Sequence, residues 1–153
     1  MNIIQVKVKY LRHTPEHGNP LEYATSASAG VDLRAFMDEE SIILEPGARH
    51  AFPTGIAIEI TRPDLAGFIF SRSGLGTRQG LVVSQGVGVI DPDYRGEIIV
   101  SLLNNSRTAG QITRGQRIAQ LVFMPWFQAR FTPVQELSAT DRGQGGFGHT
   151  GSM

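Results

Sequence analysis

At 153 residues and 16.7 kDa the chain is one domain in size, long enough to bury a core without disulfides or a structural metal. Its 14 Lys and Arg balance 14 Asp and Glu, the wrong balance for holding a polynucleotide by broad charge neutralisation, so any nucleic-acid-like ligand should be small. With 0 Cys, disulfides, zinc thiolates and thiol nucleophiles are excluded, and a reducing compartment fits. The start Met1-Asn2-Ile3-Ile4-Gln5-Val6-Lys7 has no basic stretch leading into an apolar one. No apolar run approaches the ~18 residues of a membrane span. A soluble, cytoplasmic protein with no membrane partner is expected.

In chain order, Ile4 to Tyr10 alternates apolar and polar with period two, the pattern of a strand with one wet face. Ile56 to Ile60, Phe68 to Phe70, Leu81 to Val83, Glu97 to Leu103, Arg117 to Met124 and Ala129 to Leu137 read the same way, being short and rich in β-branched or aromatic residues. Glu45-Pro46-Gly47, Pro53-Thr54-Gly55, Arg62-Pro63-Asp64, Asp91-Pro92-Asp93, Asn104-Asn105-Ser106 and Ala109-Gly110 punctuate them as turns. Close-spaced short strands of this kind predict an all-β fold, a jelly-roll-like sandwich or barrel with at most one or two short helical turns. Ser73 to Gly80 is the candidate helix, with a Ser to cap and a Gly to terminate it.

Residues 1–137 read as the folded core and residues 138–153 as a flexible arm. The arm is mostly Gly and polar residues and cannot bury enough apolar area to offset the entropy of ordering itself. A disordered terminus is the plain reading. Arg142 and Phe147 stand out against it, one charge able to fork onto phosphate and one ring able to stack.

Gly143-Gln144-Gly145-Gly146-Phe147-Gly148 matches the dinucleotide fingerprint literally, but too little chain follows for the helix that fingerprint needs. His13, His17, His50 and His149 form no metal-like pair. In Ser71-Arg72-Ser73-Gly74-Leu75-Gly76 a strand ends in a guanidinium, a hydroxyl and exposed amides, which suits an oligophosphate; a polar turn with its Arg in water is the alternative. In Gln85 to Glu97 a Gly-punctuated hairpin runs through Val89 and Ile90 into Asp91. A carboxylate emerging from an apolar wall is a better proton acceptor for a bound water, although Asp before Pro is also ordinary turn chemistry.

Taken together, five segments resemble the trimeric dUTPase family, whose members split dUTP to dUMP and pyrophosphate. They are Ala29 to Arg34, Arg72 to Gly76, Gly88 to Gly96, Gly115 to Leu121 and Arg142 to Gly148. The resemblance implies a jelly-roll-like fold and a homotrimer with active sites at subunit interfaces, each closed by a C-terminal arm from another subunit. It implies that Asp91 deprotonates the water attacking the α-phosphorus. Arg72, Ser73, Gly74 and Gln120 would hold the phosphate chain, Arg142 the γ-phosphate, and Phe147 would stack on uracil. Mg²⁺ would be carried by the triphosphate and water, with Asp32 contacting metal-bound water; the alternative for Asp32 is an inter-strand ion network. Main-chain groups from Gln85 through Val89 and Ile90, with Ile99 nearby, would pair with uracil, and Tyr94 would lie under the deoxyribose. The family usually carries Asn where Gln85 stands. A dCTP deaminase of the same fold, alone or bifunctional, and a noncatalytic nucleotide-binding module are the rival readings.

Overall fold

Alternating apolar residues become strands where a neighbour covers one face, and eleven such strands surround a single helix in the computed structural model, which describes residues 3–11 and 21–146. In order they are β1 (Val6–Tyr10), β2 (Val31–Arg34), β3 (Ser41–Leu44), β4 (Arg49–Pro53), β5 (Ile56–Ile60), β6 (Leu65–Ser71), α1 (Ser73–Gln79), β7 (Leu81–Val83), β8 (Gly88–Ile90), β9 (Ile99–Asn104), β10 (Gly110–Thr113) and β11 (Arg117–Pro125). Every ladder is antiparallel. The strands form sheets β2-β11-β6-β8 and β4-β9-β7 and the ribbons β1-β5 and β10-β3, the jelly-roll-like architecture expected. The core between them contains Val31, Leu33, Phe52, Ile69, Leu81, Val100, Leu102 and Leu121, all essentially inaccessible. No helix among the described residues is long and apolar enough to cross a membrane.

The helix forms where expected, with one difference. Its N-cap is Arg72, in extended conformation, and no side chain caps it, so the Ser73 hydroxyl is left for another partner. Gly80 ends the helix at φ 69°, and a Cβ there would also fall 2.6 Å from Cβ of Ser106, so both conformation and space require glycine.

Three further departures have physical causes. Strands β3, β4 and β10 carry no clean alternation, and Arg49-His50-Ala51-Phe52-Pro53 is held by its pairing with β9 rather than by propensity. The turn from Val83 to Gly88 is not a two-stranded hairpin: β7 lies in the sheet with β9, β8 in the sheet with β6, and the link closes through Gly86 N–H donating to Val83 O at 3.0 Å. Ala129 to Leu137, expected as a strand, has no strand conformation. Phe127, Phe131 and Leu137 are 94%, 90% and 89% exposed, because among the described residues no strand pairs with this segment.

Asn104 at the end of β9 is, with Thr54, a polar exception among the buried described residues. Its Nδ2 donates to Leu44 O and Thr108 O, each at 2.8 Å, while Oδ1 accepts from Ser106 N at 2.9 Å and Ser106 Oγ at 2.7 Å. Every valence of the buried amide is used. Asn104→Ala strands these partners, and urea unfolding is expected to show a loss of about 2–4 kcal/mol.

Candidate active site

Three neighbouring strands bring three of the five segments together. In the β2-β11-β6 sheet Asp32 stands opposite Gln120, and Gln120 opposite Phe70. Since alternate residues share a face, Val31, Leu33, Ala119 and Leu121 point to the core while Asp32 and Gln120 point outward. Beyond Ser71 the β6 chain turns into α1, so Arg72, Ser73 and Gly74 overhang the same face.

The result is a cleft of ≈ 340 Å³ whose lining includes Gly30, Asp32, Arg72, Ser73, Gly74, Arg117 and Gln120. Arg72 Nε donates to Asp32 Oδ1 at 2.7 Å and Arg117 Nη1 to Asp32 Oδ2 at 3.2 Å. One carboxylate thus aligns two guanidinium groups and leaves each with donors to spare, the arrangement an anionic chain of phosphates requires. Gln120 Nε2 donates to Ser71 O at 3.3 Å. A Cβ on Gly30 would lie 2.9 Å from Gln120 Oε1, so glycine here leaves space for the amide. The first helical bond of this turn is Gly76 N–H to Arg72 O, which leaves earlier amides, with Ser73 and Gly74 exposed, open to a ligand.

Asp32 therefore sits in an inter-strand ion network with Arg72 and Arg117. Arg117 belongs to the cleft although alternation counted from Gln120 sends it to the other face. The cause is a register shift between Arg117 and Ala119: Ile118 and Ala119 are both buried, and the strand resumes one residue out of step.

The remaining residues lie elsewhere. Ile90 is opposite Gly67 of β6, so Asp91 follows at the level of Ala66, six residues before Arg72 and ~20 Å from it along the strand. Asp91 is exposed, with buried Ile90 behind it; the apolar wall is present, but none of the described residues covers the carboxylate. Tyr94 N–H donates to Asp91 O at 3.0 Å and Tyr94 OH to Glu97 O at 3.0 Å. Glu97 Oε1 accepts from Gly55 N at 2.7 Å, tying this loop to the β4–β5 turn. Val89, Tyr94 and Ile99 all expose apolar surface, and β8 is an edge strand, one side of whose backbone is unpaired among the described residues and can meet the edge of a base. Arg142 folds on its own arm, Nε donating to Gly145 O at 3.0 Å. Phe147 lies outside the described residues.

A family model described as dUTPase matches residues 16–151. The deoxyuridine 5'-triphosphate nucleotidohydrolase of Cronobacter sakazakii is 54% identical over 129 residues, 84% of each chain. That of Desulfitobacterium hafniense is 46% identical over 151 residues, 99% of each. The chain belongs to the dUTPase family. Among solved structures, the dUTPase of Staphylococcus bacteriophage 80alpha with dUpNHpp superposes with a TM-score of 0.81 at 26% identity, covering 97% of this chain and 99% of that one. The dUTPase of the S. aureus phage phi11 matches with a TM-score of 0.73 at 23% identity over 89% of this chain and 99% of that one, a likeness of fold. The dUTPase match runs through the cleft, the Asp91 loop and the arm alike, so no segment of the candidate site falls outside it.

Proposed function

We propose that this dUTPase-family chain hydrolyses dUTP to dUMP and pyrophosphate in a homotrimer whose active sites lie between subunits. The observation that carries the proposal is the cleft itself: two guanidinium groups aligned on Asp32, with Ser73, Gly74 and Gln120 beside them. That set matches a triphosphate in charge and donor geometry. Full-length relatives at 46% identity carry the corresponding name, and none of the relatives reported above is named a deaminase.

In this reading the cleft grips the phosphate chain while Asp91 accepts a proton from water. The water oxygen bonds to the α-phosphorus, the bond from that phosphorus to the bridging oxygen of the β-phosphate breaks, and pyrophosphate leaves. Ser73 and the guanidinium groups meet the charge that develops. Because Asp91 is ~20 Å along β6 from Arg72, the carboxylate and the cleft of one chain do not serve one substrate; Asp91 of one copy faces the cleft of another. The tail supports the same assembly. Strands β1 and β2 each pair on one side only among the described residues, and between β1 and β11 lies an apolar groove of ≈ 220 Å³ lined by Val6, Val8, Val31, Leu121 and Phe123. The exposed Phe127 to Leu137 segment of another copy fits it in chemistry, and would carry Arg142 and Phe147 onward to that copy's site, where the arm excludes water.

Mg²⁺ is the cofactor that fits. No cluster of three or more His, Cys, Asp or Glu side chains among the described residues forms a metal cage, and the cleft holds the single carboxylate of Asp32 with a lone pair on each oxygen to spare for water. Those residues suit an ion that arrives on the triphosphate, where it would supply further neutralisation of phosphate charge. Pyrophosphate release from dUTP, dTTP, dCTP and UTP with Mg²⁺, measured beside the solution mass, tests the proposal. A strong preference for dUTP from a species of three chains is expected; equal rates on all four, or an active monomer, would refute it.

A further inference from the structure

Gln85 is an exposed side chain on the turn between β7 and β8, and an unrestrained amide there rotates to present either its oxygen or its nitrogen to a ligand. It is restrained. Val83 pairs with Leu102 in the β7–β9 ladder, and Ser84 N–H donates to Ser101 O at 2.9 Å, so Ser84 and Ser101 are cross-strand neighbours with their hydroxyls together. Ser84 Oγ lies 2.8 Å from Ser101 Oγ and 3.0 Å from Gln85 Oε1. An amide oxygen only accepts and a hydroxyl has one proton to give. Ser84 Oγ is the donor toward both neighbours; Gln85 Oε1 can only accept its proton, whereas Ser101 is the competing acceptor. The Ser84 hydroxyl engages the oxygen of the amide and leaves its nitrogen directed elsewhere. A Cβ built on Gly88 would lie 3.4 Å from Gln85 Nε2 and 3.1 Å from Ile69 Cβ. The amide nitrogen thus sits over the bare backbone at the start of β8, beside the edge whose main-chain groups are open.

We propose that Ser84 is a positioning residue that holds the Gln85 amide with its nitrogen toward the bound base, so that this site demands a carbonyl and rejects an amino group at the 4-position of a pyrimidine. The inference rests on the reading that the turn from Val83 to Gly88 receives the base. Uracil presents an acceptor at that position and cytosine a donor, so cytosine would oppose two donors and leave both unmatched, which costs more than a lost contact. Gln has one torsion more than the Asn usual in the family, and the Ser84 hydroxyl removes the freedom that torsion adds.

The test compares kcat and KM on dUTP and dCTP for the wild type, Ser84→Ala, Ser84→Thr, Ser101→Ala and Gln85→Ala, with thermal unfolding as a check on folding. Amide resonances of residues 83–90 are followed during titration with dUMP. Ser84→Ala is expected to lower the dUTP-to-dCTP ratio of kcat/KM about 5–10-fold, the worth of one oriented hydrogen bond, with the loss in KM for dUTP rather than in kcat. Gln85→Ala should lower it at least as far, Ser84→Thr, which keeps the hydroxyl, should restore it, and Ser101→Ala, which removes the competing acceptor, should keep it. If Gln85→Ala lowers the ratio and Ser84→Ala keeps the wild-type value, the hydroxyl has no positioning role and the proposal is overturned while the base site stands. If dUMP moves no resonance of residues 83–90, the base site itself is misplaced and the proposal falls with it.

Discussion

Replacing Asp91 with Asn should lower kcat on dUTP by about 10²–10⁴-fold while leaving nucleotide binding, followed by calorimetry with dUMP and pyrophosphate present, close to wild type. The carboxylate forms none of the ion pairs that order the cleft, which centre on Asp32, and it is exposed at the end of β8, so an isosteric amide changes neither the fold nor the grip on phosphate. What it loses is the ability to take a proton. Near-normal turnover by this variant would remove Asp91 from the reaction.

The same variant tests where the site is assembled. Arg72→Ala should be inactive for a different reason, loss of the guanidinium that Asp32 aligns. If Asp91 and Arg72 act on one substrate from different chains, unfolding and refolding the two inactive variants together restores part of the activity, because some interfaces in the mixture pair an intact Asp91 with an intact Arg72. If both residues of one chain served one site, no mixture would contain an intact site and activity would stay at the level of the single variants. The ~20 Å of β6 between their levels favours recovery.

How much of this was legible in the sequence follows from what alternation can and cannot encode. Ile56 to Ile60, Leu81 to Val83 and Arg117 to Met124 have clear patterns, and β5, β7 and β11 lie there. Arg49 to Pro53 has none, and its strand exists because β9 supplies a ladder. Ala129 to Leu137 is the converse: its composition says what it could pair with, but pairing needs a partner that the described residues do not supply. Within the site, Asp32, Arg72 and Gln120 were visible as parts of recurring segments, and the register of β2, β11 and β6 explains why segments so far apart in sequence converge. Arg117 was hidden by the bulge that puts Ile118 and Ala119 both inward, since a period-two count cannot anticipate the residue at which it skips. The Ser84–Ser101 contact was hidden for a related reason, being a cross-strand neighbour relation that exists only once β7 and β9 are paired.

Deleting the chain from Arg142 onward should cost at least about 10²-fold in kcat/KM on dUTP, since it removes a guanidinium whose charge-assisted bonds to phosphate are each worth ~1.5–3 kcal/mol, together with the ring and glycines that would close over the base. Thermal unfolding should barely change. Residues 138–144 are all exposed, and the hydrogen bonds of Arg142 and Gly143 stay within the arm. A deletion beginning at Trp126 makes a sharp contrast, because it also removes Phe127, Phe131, Val134 and Leu137, whose exposed side chains would gain burial against another copy. It should lower the solution mass toward that of a single chain and lower the melting temperature with it. If both deletions left assembly intact, the apolar tail would not be the element that joins the subunits; if the shorter deletion alone lowered the melting temperature, the arm would be part of the folded core rather than a cover drawn over the substrate.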